Sequence, residues 1–452
     1  LAWGGDAWAA GVLELASRPD AVVERDAERI ASGWFDLWGT PVLANVMGPR
    51  WRTRPFAGAI WPHGSWRGWE LDPKPVWELH RHQHLVPLAA GAALADRPDW
   101  ARTAVVHVLD WIARNPHGSQ PGWHSPYEVA HRLVSWTFAL PLVSRQIGRE
   151  ERTRIEEAFV AQARFVASRP SRYSSANNHR IAELTGLLAA ALVEDDGALW
   201  LRSWHELELE AGRQTYGDGG SREQAAGYFL YVLEMLTVCG LFARARGEQL
   251  GALDERIRAM LGWLGRVAGD DGEPPPLGDD AEDRMLRLDY FEPRSAIAIA
   301  QRAYDLVDDC SSRLRSLQPM GDGRSHVLRE SGLAVFRSAG AATGSGTARV
   351  VVDVGELGYG RLAAHGHADA LSLLLDVDGR PLLRDSGTGS YVRAEGRERF
   401  RHTAAHNTVT VGAASQAQPL GPHLWGRRYR VVIEAASTSP ALDYLRASHD
   451  GY

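Results

Sequence analysis

The sequence lacks several features that would stabilise or localise a protein by special chemistry. Only two cysteines, Cys239 and Cys310, occur in 452 residues, which excludes a disulfide framework. No uninterrupted apolar run reaches the ~18 residues of a membrane helix, so we predict no membrane span. The net charge is −6, so the general basic field of a nucleic-acid-binding protein is missing. An anionic ligand would therefore need a local basic cleft.

The N-terminal residues also lack the pattern of a signal peptide. The chain opens with Leu1, Asp6 follows early, and no Lys or Arg stands among the first residues. Because a signal can be removed, this absence leaves the location of the protein open. A repeat of constant period is missing as well.

What the sequence does contain is, first, a long helical pattern. Apolar residues recur every three or four positions from residue 1 to about 310, without a strand pattern between them. Helices of similar length without a repeat favour a closed ring of helical hairpins over a regular array. The predicted helices span residues 7–17, 22–32, 76–93, 98–114, 126–145, 150–168, 179–194, 197–213, 222–245, 250–268 and 294–308.

After residue 310–325 the pattern changes to that of strands, with the hairpin signal Asp378-Gly379 among them. We therefore predict an α+β multidomain protein, with a helical domain over residues 1–315 and an antiparallel β domain over residues 316–452. Because the chain ends soon after a strand pattern, we expect this β domain to be incomplete at the C-terminus. The predicted strands span residues 327–337, 348–354, 370–376, 381–385, 407–412 and 429–435.

Histidines and a carboxylate stand close together in the β region. His365 and His367 have strand-like flanks, and residues two apart on a strand share a face, so both imidazoles could point to one site. Asp385 and His406 could join them, which is enough for a zinc site with a spare histidine. An ordinary histidine-containing strand explains the spacing equally well.

Two places where a predicted helix begins also carry reactive groups. Adjacent amide and imidazole groups at Asn178 and His179 suit the binding of a carboxylate, although a helix N-cap by Asn177 or Asn178 is the simpler explanation. Tyr228 and Tyr231 share one face of a helix, where packing into the core is the usual outcome.

Two tryptophan-rich segments of the helical region offer groups that could bind sugars. Tryptophan, at 17 residues, is unusually frequent, and its ring is a flat platform for a sugar. In the first segment the polar side chains are predicted to project from one side of a helix. In the second, a glutamate and an arginine are four residues apart, and a local ion pair is the simpler explanation. The candidate sugar-binding residues are Trp77, Glu78, Arg81, His82, Trp123, Glu128 and Arg132.

The loop that contains Gly278, Asp279 and Asp280 follows a proline-rich stretch. It could line the rim of a cleft, but we expect an ordinary solvated turn.

Several short motifs together resemble the heparinase II/III superfamily of polysaccharide lyases. The resemblance runs from about residue 70 to the end and is most specific over residues 361–411. It implies an incomplete (α/α) toroid followed by a C-terminal antiparallel β-sandwich. The motifs are Asn178-His179, Glu-Gln-x-x-x-Tyr at 223–228, His-x-His-x-Asp at 365–369, Arg384-Asp385-Ser386-Gly387, and Phe400-Arg401-x-Thr-Ala-Ala-His406-Asn407-Thr408.

The resemblance implies a role for each matching residue in the active site. Asn178 and His179 would neutralise the carboxylate of a uronate, Tyr228 would be the catalytic tyrosine, and His365 would be a second catalytic histidine. Tyr228 is preferred to Tyr231 because it stands at the matching offset from the Glu-Gln pair.

The resemblance also implies a metal and a location. His367, Asp385 and His406 would bind a zinc ion with a structural role, and no organic cofactor is expected. A periplasmic or secreted location is favoured by the resemblance, and the sequence says nothing of the oligomeric state.

The implied substrate is an anionic uronic-acid glycan, with a glycosaminoglycan as first choice and alginate as second. In β-elimination the carbon-5 proton leaves and the charge spreads into the carboxylate, which donors already in place must stabilise. A tyrosine could act as base and acid if cationic neighbours lowered its pKa from about 10. For the other epimer, His365 or His179 could be the base and the tyrosine the acid.

Two other classes of protein would also fit parts of the pattern. An (α/α) toroid glycoside hydrolase would need two opposed carboxylates, for which Glu78, Glu128 and Asp218 are candidates. A protein that binds sugars without cleaving them could retain the same fold.

Overall fold

The computed structural model describes residues 1, 3, 5–17, 22–37, 40–43, 51, 73–280, 282–307, 323–338, 346–389, 391 and 394–452. The predicted domain boundary at residues 315 and 316, like Cys310, lies outside these residues. By their internal contacts the described residues divide into two compact units, which do not follow the order of the chain. The first comprises Leu1–Leu209, Val238–Leu250 and Arg284–Arg294, and the second comprises Glu210–Thr237, Gly251–Asp283 and Ser295–Tyr452.

Helices account for most of the chain before residue 308, as predicted. They are α1 Gly5–Ala16, α2 Val23–Ala31, α3 Lys74–His80, α4 Leu85–Leu94, α5 Pro98–Arg114, α6 Pro126–Ala139, α7 Arg149–Ser168, α8 Asn178–Glu194, α9 Gly197–Gln214, α10 Ala226–Ala245, α11 Ala252–Val267 and α12 Ala296–Val307, followed much later by α13 Ala394–Arg401.

Local chemistry explains where the central helices of the first unit begin. Ser125 caps α6 because its side chain accepts a hydrogen bond from the backbone N–H of Glu128 at 3.3 Å. Asn177 caps α8 in the same way through the N–H of His179 at 3.2 Å. The two helices pack closely, since a Cβ on Gly186 would lie 2.7 Å from Cα of Ala130.

The helix predicted over residues 76–93 is wrong in one respect, because it is two helices with a break between them. α3 ends at His80 and α4 begins at Leu85, and His82 between them has a left-handed φ of 59°. Residues 80–84 are all buried. A continuous helix would spread their side chains around its axis, whereas the break lets all of them point into the protein.

The prediction that the helical region contains no strands is also wrong. β1 Trp34–Leu37 and β2 Thr40–Leu43 pair as an antiparallel hairpin. Phe35 and Asp36 of this hairpin are buried, so it contributes to the core of the first unit.

The second unit holds the predicted antiparallel sheet. Five strands, β3 His326–Leu328, β4 Leu333–Ser338, β5 Ala348–Asp353, β6 Leu373–Val377 and β7 Arg380–Leu383, pair in sequence order. The predicted Asp378-Gly379 turn is confirmed: both residues have positive φ, 50° and 70°, and join β6 to β7. Two-stranded pairs follow, β8 Pro419–Gly421 with β9 Leu424–Trp425 and β10 Val431–Ser437 with β11 Tyr444–His449.

Three details of the predicted strands are wrong. The strand predicted over 327–337 is two strands around a turn at Gly332, whose φ is 73°. Residues 407–412 form no strand. His365 and His367 lie in the irregular connection before β6, so their side chains are not oriented by the alternation of a strand.

One described helix, α10, is long and apolar enough to cross a membrane. In its most apolar window, however, 89% of the residues are buried inside the protein. This burial is typical of a core helix, which passes the same test of length and composition.

Candidate active site and metal centre

The second unit brings together Tyr228 and His365, the two residues to which the sequence assigns proton transfer. Tyr228 lies in the first turn of α10, and His365 lies in the connection before β6. Their rings stack with centroids 3.8 Å apart and planes inclined by 24°. The hydroxyl of Tyr391 lies 3.5 Å from that of Tyr228. Tyr228 and His365 are only 6% and 8% exposed, so this contact is largely shielded from water.

A tyrosine could act as both base and acid only if cationic neighbours lowered its pKa, and this structure does not meet that condition. Burial raises the pKa of Tyr228 well above its ordinary value, and the nearby Tyr391, Asp283 and Asp279 raise it further. The main reason is burial of the phenol, and Arg397, the nearby cation, already pairs with Asp279. A raised pKa favours the protonated form of the Tyr228 phenol.

Asp279 occupies the centre of the site, which contradicts the solvated turn expected at this loop. Its side chain is fully buried. One carboxylate oxygen lies 3.1 Å from Nδ1 of His365, and the other lies 2.9 Å from Nε2 of His367. The Arg397 guanidinium donates to both oxygens, to Oδ2 at 2.6 Å.

These partners determine the charge of Asp279. Burial by itself would raise the pKa of this carboxyl, but the hydrogen bonds from His365 and His367 and the charge of Arg397 together hold it well below its usual range. Asp279 is therefore a carboxylate, which can only accept hydrogen bonds.

His367, Asp385 and His406 come together as predicted from the sequence. Their ligand atoms lie within 4.8 Å of one another, and Nδ1 of His406 lies 2.6 Å from Oδ2 of Asp385. Nδ1 of His367 and Nε2 of His406 are buried and make no hydrogen bond within the described part of the chain. Two such imidazole nitrogens beside a carboxylate are the donor set that zinc prefers.

The electrostatics of His367 also fit a metal ligand. Burial lowers the pKa of this imidazole, although its hydrogen bond to Asp279 opposes the effect. Metal binding requires the neutral imidazole. The residues present therefore fit zinc.

A second group of potential metal ligands includes two residues of the candidate active site. Asp279, His365 and His423 have ligand atoms within 4.8 Å of one another. Both oxygens of Asp279 already accept from Arg397, however, and that cation would repel a metal ion. The group around His367 is therefore the better metal site.

Asn178 and His179 lie at the start of α8 in the first unit. Asn178 is fully buried, and the ring of His179 stacks on Tyr127 with centroids 4.4 Å apart. Of the two asparagines that could cap this helix, Asn177 makes the N-cap. The capping role therefore does not explain Asn178.

Three of the candidate sugar-binding residues form a buried charge network. Arg81 contacts Glu128 at 2.6 Å and Glu78 at 3.0 Å, and the guanidinium of Arg287 lies 3.7 Å from Glu78. Glu128 and Arg132 do not form the expected hydrogen-bonded ion pair. Glu128 pairs with Arg81, whereas Arg132 donates to Gln162 and to the carbonyl of His80. Because both glutamates face arginines, neither resembles a free acid of a glycoside hydrolase.

Three further candidates, His82, Trp123 and Arg132, lie inside the first unit. Arg132 is fully buried, donates to Gln162 and to the carbonyl of His80, and lies 4.0 Å from the ring centroid of Trp111. Burial lowers its pKa to about 9. His82 is also fully buried and Trp123 is 4% exposed. These positions support neighbouring residues and present almost no surface to a sugar.

Trp77 is the candidate with the best geometry for a sugar platform. Its ring is partly exposed and stacks on His124 at 4.1 Å and 10°. His124 was not among the predicted candidates, although it is adjacent to Trp123 in the sequence.

Asp279, Tyr391 and Arg397 were not among the site residues predicted from the sequence. Asp279 was recognised only as part of a loop, and Arg397 belongs to α13, which has no strong apolar pattern. The only signal for Arg397 was its place between two motifs of the family, 384–387 and 400–408.

Comparisons with known proteins agree with this arrangement. The family described as Heparinase II/III N-terminus matches residues 53–280, and the family described as Heparinase II/III-like, C-terminal, matches residues 320–452. The chain therefore belongs to the heparinase II/III-like family of polysaccharide lyases. No curated protein matches the sequence significantly.

Solved structures show the same fold. A crystal structure of a heparinase III is 15% identical, with a TM-score of 0.69 over 98% of this chain and 71% of that protein. A second heparinase III gene product is 18% identical, with a TM-score of 0.61 over 98% and 70%. A heparan sulfate lyase from Pedobacter heparinus is 18% identical, with a TM-score of 0.56 over 97% and 66%.

These comparisons confirm the predicted fold class, an N-terminal incomplete (α/α) toroid followed by a C-terminal antiparallel β domain. The packing of the sheets as a sandwich stays a prediction, and so do the individual site residues.

Proposed function

We propose that this protein cleaves a uronic-acid-containing anionic glycan by β-elimination, with His365 and Tyr228 as its proton-transfer pair. The observation that carries the proposal is the shielded stack of these two rings in a member of a polysaccharide lyase family. A glycosaminoglycan is the first choice of substrate because the similar structures are a heparinase III and a heparan sulfate lyase. Alginate is the second choice.

The raised pKa of Tyr228 supports His365, and not the tyrosine, as the base. His365 holds a proton on Nδ1, facing Asp279, so Nε2 is the nitrogen that accepts the carbon-5 proton. The electron pair of that C–H bond forms the double bond between carbons 4 and 5. The bond from carbon 4 to the bridging oxygen breaks, and this oxygen takes the hydroxyl proton of Tyr228. Because the two rings are in contact, the proton on His365 can return to the phenolate.

The carboxylate of the substrate carries the negative charge of the intermediate. In this proposal Asn178 and His179 donate hydrogen bonds to it, which is the role that the family resemblance implies. Donors already in place stabilise such a charge without reorganisation.

Zinc has a structural role in the proposal. When bound by His367, Asp385 and His406, it would supply a rigid cross-link between three connecting segments of the second unit. The proton transfers themselves use only side chains of the chain.

The proposal is tested by incubating the folded protein with heparan sulfate, chondroitin, hyaluronan and alginate. We expect new ultraviolet absorbance from an unsaturated uronate, and products whose masses sum to that of the substrate. Failure on every uronide by a folded, zinc-loaded protein would contradict the proposal. Reducing ends without new absorbance, with the mass of one water added, would indicate a hydrolase. Binding without cleavage would indicate a sugar-binding protein.

A further inference from the structure

We propose that Asp279 is a positioning residue that couples the His367 metal site to the base His365. The inference deepens the proposed function and rests on it, because it concerns the same proton-transfer pair. One carboxylate contacts both imidazoles, His365 through Oδ2 at 3.1 Å and His367 through Oδ1 at 2.9 Å. No motif of the family resemblance includes this residue.

The contact determines which nitrogen of each ring carries a proton. A carboxylate only accepts, so the nitrogens facing Asp279 must be N–H groups, namely Nδ1 of His365 and Nε2 of His367. The opposite nitrogens point away from Asp279, and that of His365 lies 3.7 Å from Oε2 of Glu223. Nε2 of His365 is available for the carbon-5 proton, and the buried Nδ1 of His367 is available for a metal ion.

Asp279 is itself held from several directions. Arg397 donates to both of its oxygens and also to the carbonyl of Ala364 at 3.2 Å. The backbone N–H of Asp279 donates to the carbonyl of His365 at 2.9 Å. Because the same carboxylate contacts both imidazoles, a displacement of one histidine would also displace the hydrogen-bond partner of the other.

This arrangement has a consequence for turnover. A metal ion bound by His367 would fix that imidazole, which would fix Asp279 through their hydrogen bond, and Asp279 would keep His365 in the Nδ1–H tautomer that a base needs. Loss of the metal would then lower kcat although no metal takes part in proton transfer.

The main test replaces Asp279 by asparagine, which has the same shape but places an amide donor against one of the two histidines. We expect Asp279→Asn to fold, to lose about 10- to 100-fold in zinc affinity, and to lose a similar factor in kcat with little change in KM. In ¹⁵N NMR spectra of the imidazoles, we expect His365 to lose its preference for the Nδ1–H tautomer. Asp270→Asn, an exposed carboxylate before the same proline-rich segment, is the matched control.

Coupling is measured with a double-mutant cycle of Asp279→Asn and His367→Ala. If Asp279 transmits the effect, the two losses in kcat are strongly non-additive, because either change breaks the same connection. Additive losses would overturn the coupling.

Arg397→Lys provides a second variant if Asp279→Asn does not fold. Lysine keeps the charge but cannot donate to both oxygens in the geometry of a guanidinium. We expect weaker zinc binding and a shifted His365 tautomer here too. Wild-type zinc affinity and wild-type imidazole spectra in the folded variants would overturn the proposal. If the wild-type protein cleaves no uronide, the proposed function fails, while the zinc and NMR measurements still decide the role of Asp279.

Discussion

Tyr228 shows how much the surroundings of one residue change its chemistry. A tyrosine in water loses its proton near pH 10, and cations would lower that value. Here burial of the ring against His365 raises the pKa of Tyr228, and nearby acidic groups raise it further. The phenol is therefore suited to donate a proton. Replacing the tyrosine by phenylalanine removes only the hydroxyl and so tests this proton donation.

We predict that Tyr228→Phe lowers kcat by about 10²- to 10⁴-fold, the range for loss of a general acid. KM should change little, because the ring and its stacking remain. Steady-state kinetics by ultraviolet absorbance measures both parameters.

Tyr231→Phe is the matched control for this change. Tyr231 lies on the same helix and is fully buried, but the tyrosine ring that stacks on His365 is that of Tyr228. We expect near-normal kcat for the Tyr231 variant. Equal losses in both variants would argue that Tyr228 is needed for the fold and not for chemistry.

At the scale of elements, the connection between β5 and β6 positions both histidines. Gly366 separates them where the chain passes very close to Leu357, since a Cβ on Gly366 would lie 1.4 Å from the carbonyl oxygen of Leu357. Only a residue without a side chain fits such an approach. The glycine therefore permits the tight, irregular backbone path from which both His365 and His367 contact Asp279.

We predict that Gly366→Ala lowers the free energy of unfolding by more than about 2 kcal/mol, because the backbone must shift to relieve the overlap. Urea unfolding followed by circular dichroism measures this change.

Gly212→Ala in α9 is the control, since a Cβ on Gly212 would meet no other atom within 4 Å among the described residues. Alanine is favoured in the interior of a helix, so we expect stability to rise by about 0.5–1 kcal/mol. If both variants were equally stable, the close approach at Gly366 would not matter energetically.

The three predicted zinc ligands lie in three different connections. His367 precedes β6, Asp385 follows β7, and His406 follows α13. A metal ion that binds all three joins segments that strand pairing leaves separate. Binding to the folded state only, at 100 to 1,000 times Kd, would stabilise it by about 2.7–4 kcal/mol.

We predict that chelation, or His367→Ala, releases zinc and lowers the melting temperature of the protein. His365→Ala should leave zinc bound and lower turnover. Metal analysis by mass spectrometry and thermal unfolding measure the two effects. Equal loss of zinc in both variants would contradict the division of roles between the two histidines.

At the scale of the whole molecule, a cluster of histidines lies in the core of the first unit. His82 and His84 are almost fully buried, and Nδ1 of His107 lies 3.3 Å from Nε2 of His84. Burial, followed by neighbouring histidines, lowers the pKa of both His82 and His84 well below 6.5. The folded protein therefore keeps these rings neutral at a pH where the unfolded chain takes up protons.

We predict that the stability contributed by these rings is fully present above pH ~6.5 and is lost as the pH falls below it. For each ring the unfolding free energy falls by about 1.4 kcal/mol per pH unit. Urea unfolding between pH 7.5 and pH 5 measures the slope.

The comparison of wild type with His84→Gln isolates the histidine from other titrating groups. Asp353, for example, acts in the opposite direction, because burial raises its pKa to about 6. We expect the wild-type slope to be steeper by up to about 1.4 kcal/mol per pH unit. Identical slopes would show that His84 is not kept neutral in the folded protein.

Local patterns in the sequence were sufficient for much of the fold. Apolar periodicity located most helices, because the period of 3.6 residues is a property of the helix itself. The Asp378-Gly379 hairpin followed from the ease with which these residues adopt positive φ. The break at residues 81–84 could not be predicted, because it depends on partners such as Trp136, whose indole donates to Nδ1 of His82 at 2.9 Å.

The sequence by itself determined the family and the fold class, and it supplied the candidate site residues, because these depend on residue types at short spacings. Only the tertiary structure decided which of them meet. Asp279 stands more than 80 positions before His365 and His367 in the chain, yet it contacts both. The protonation of Tyr228 was decided in the same way, because desolvation and neighbouring charges arise only when distant segments pack together.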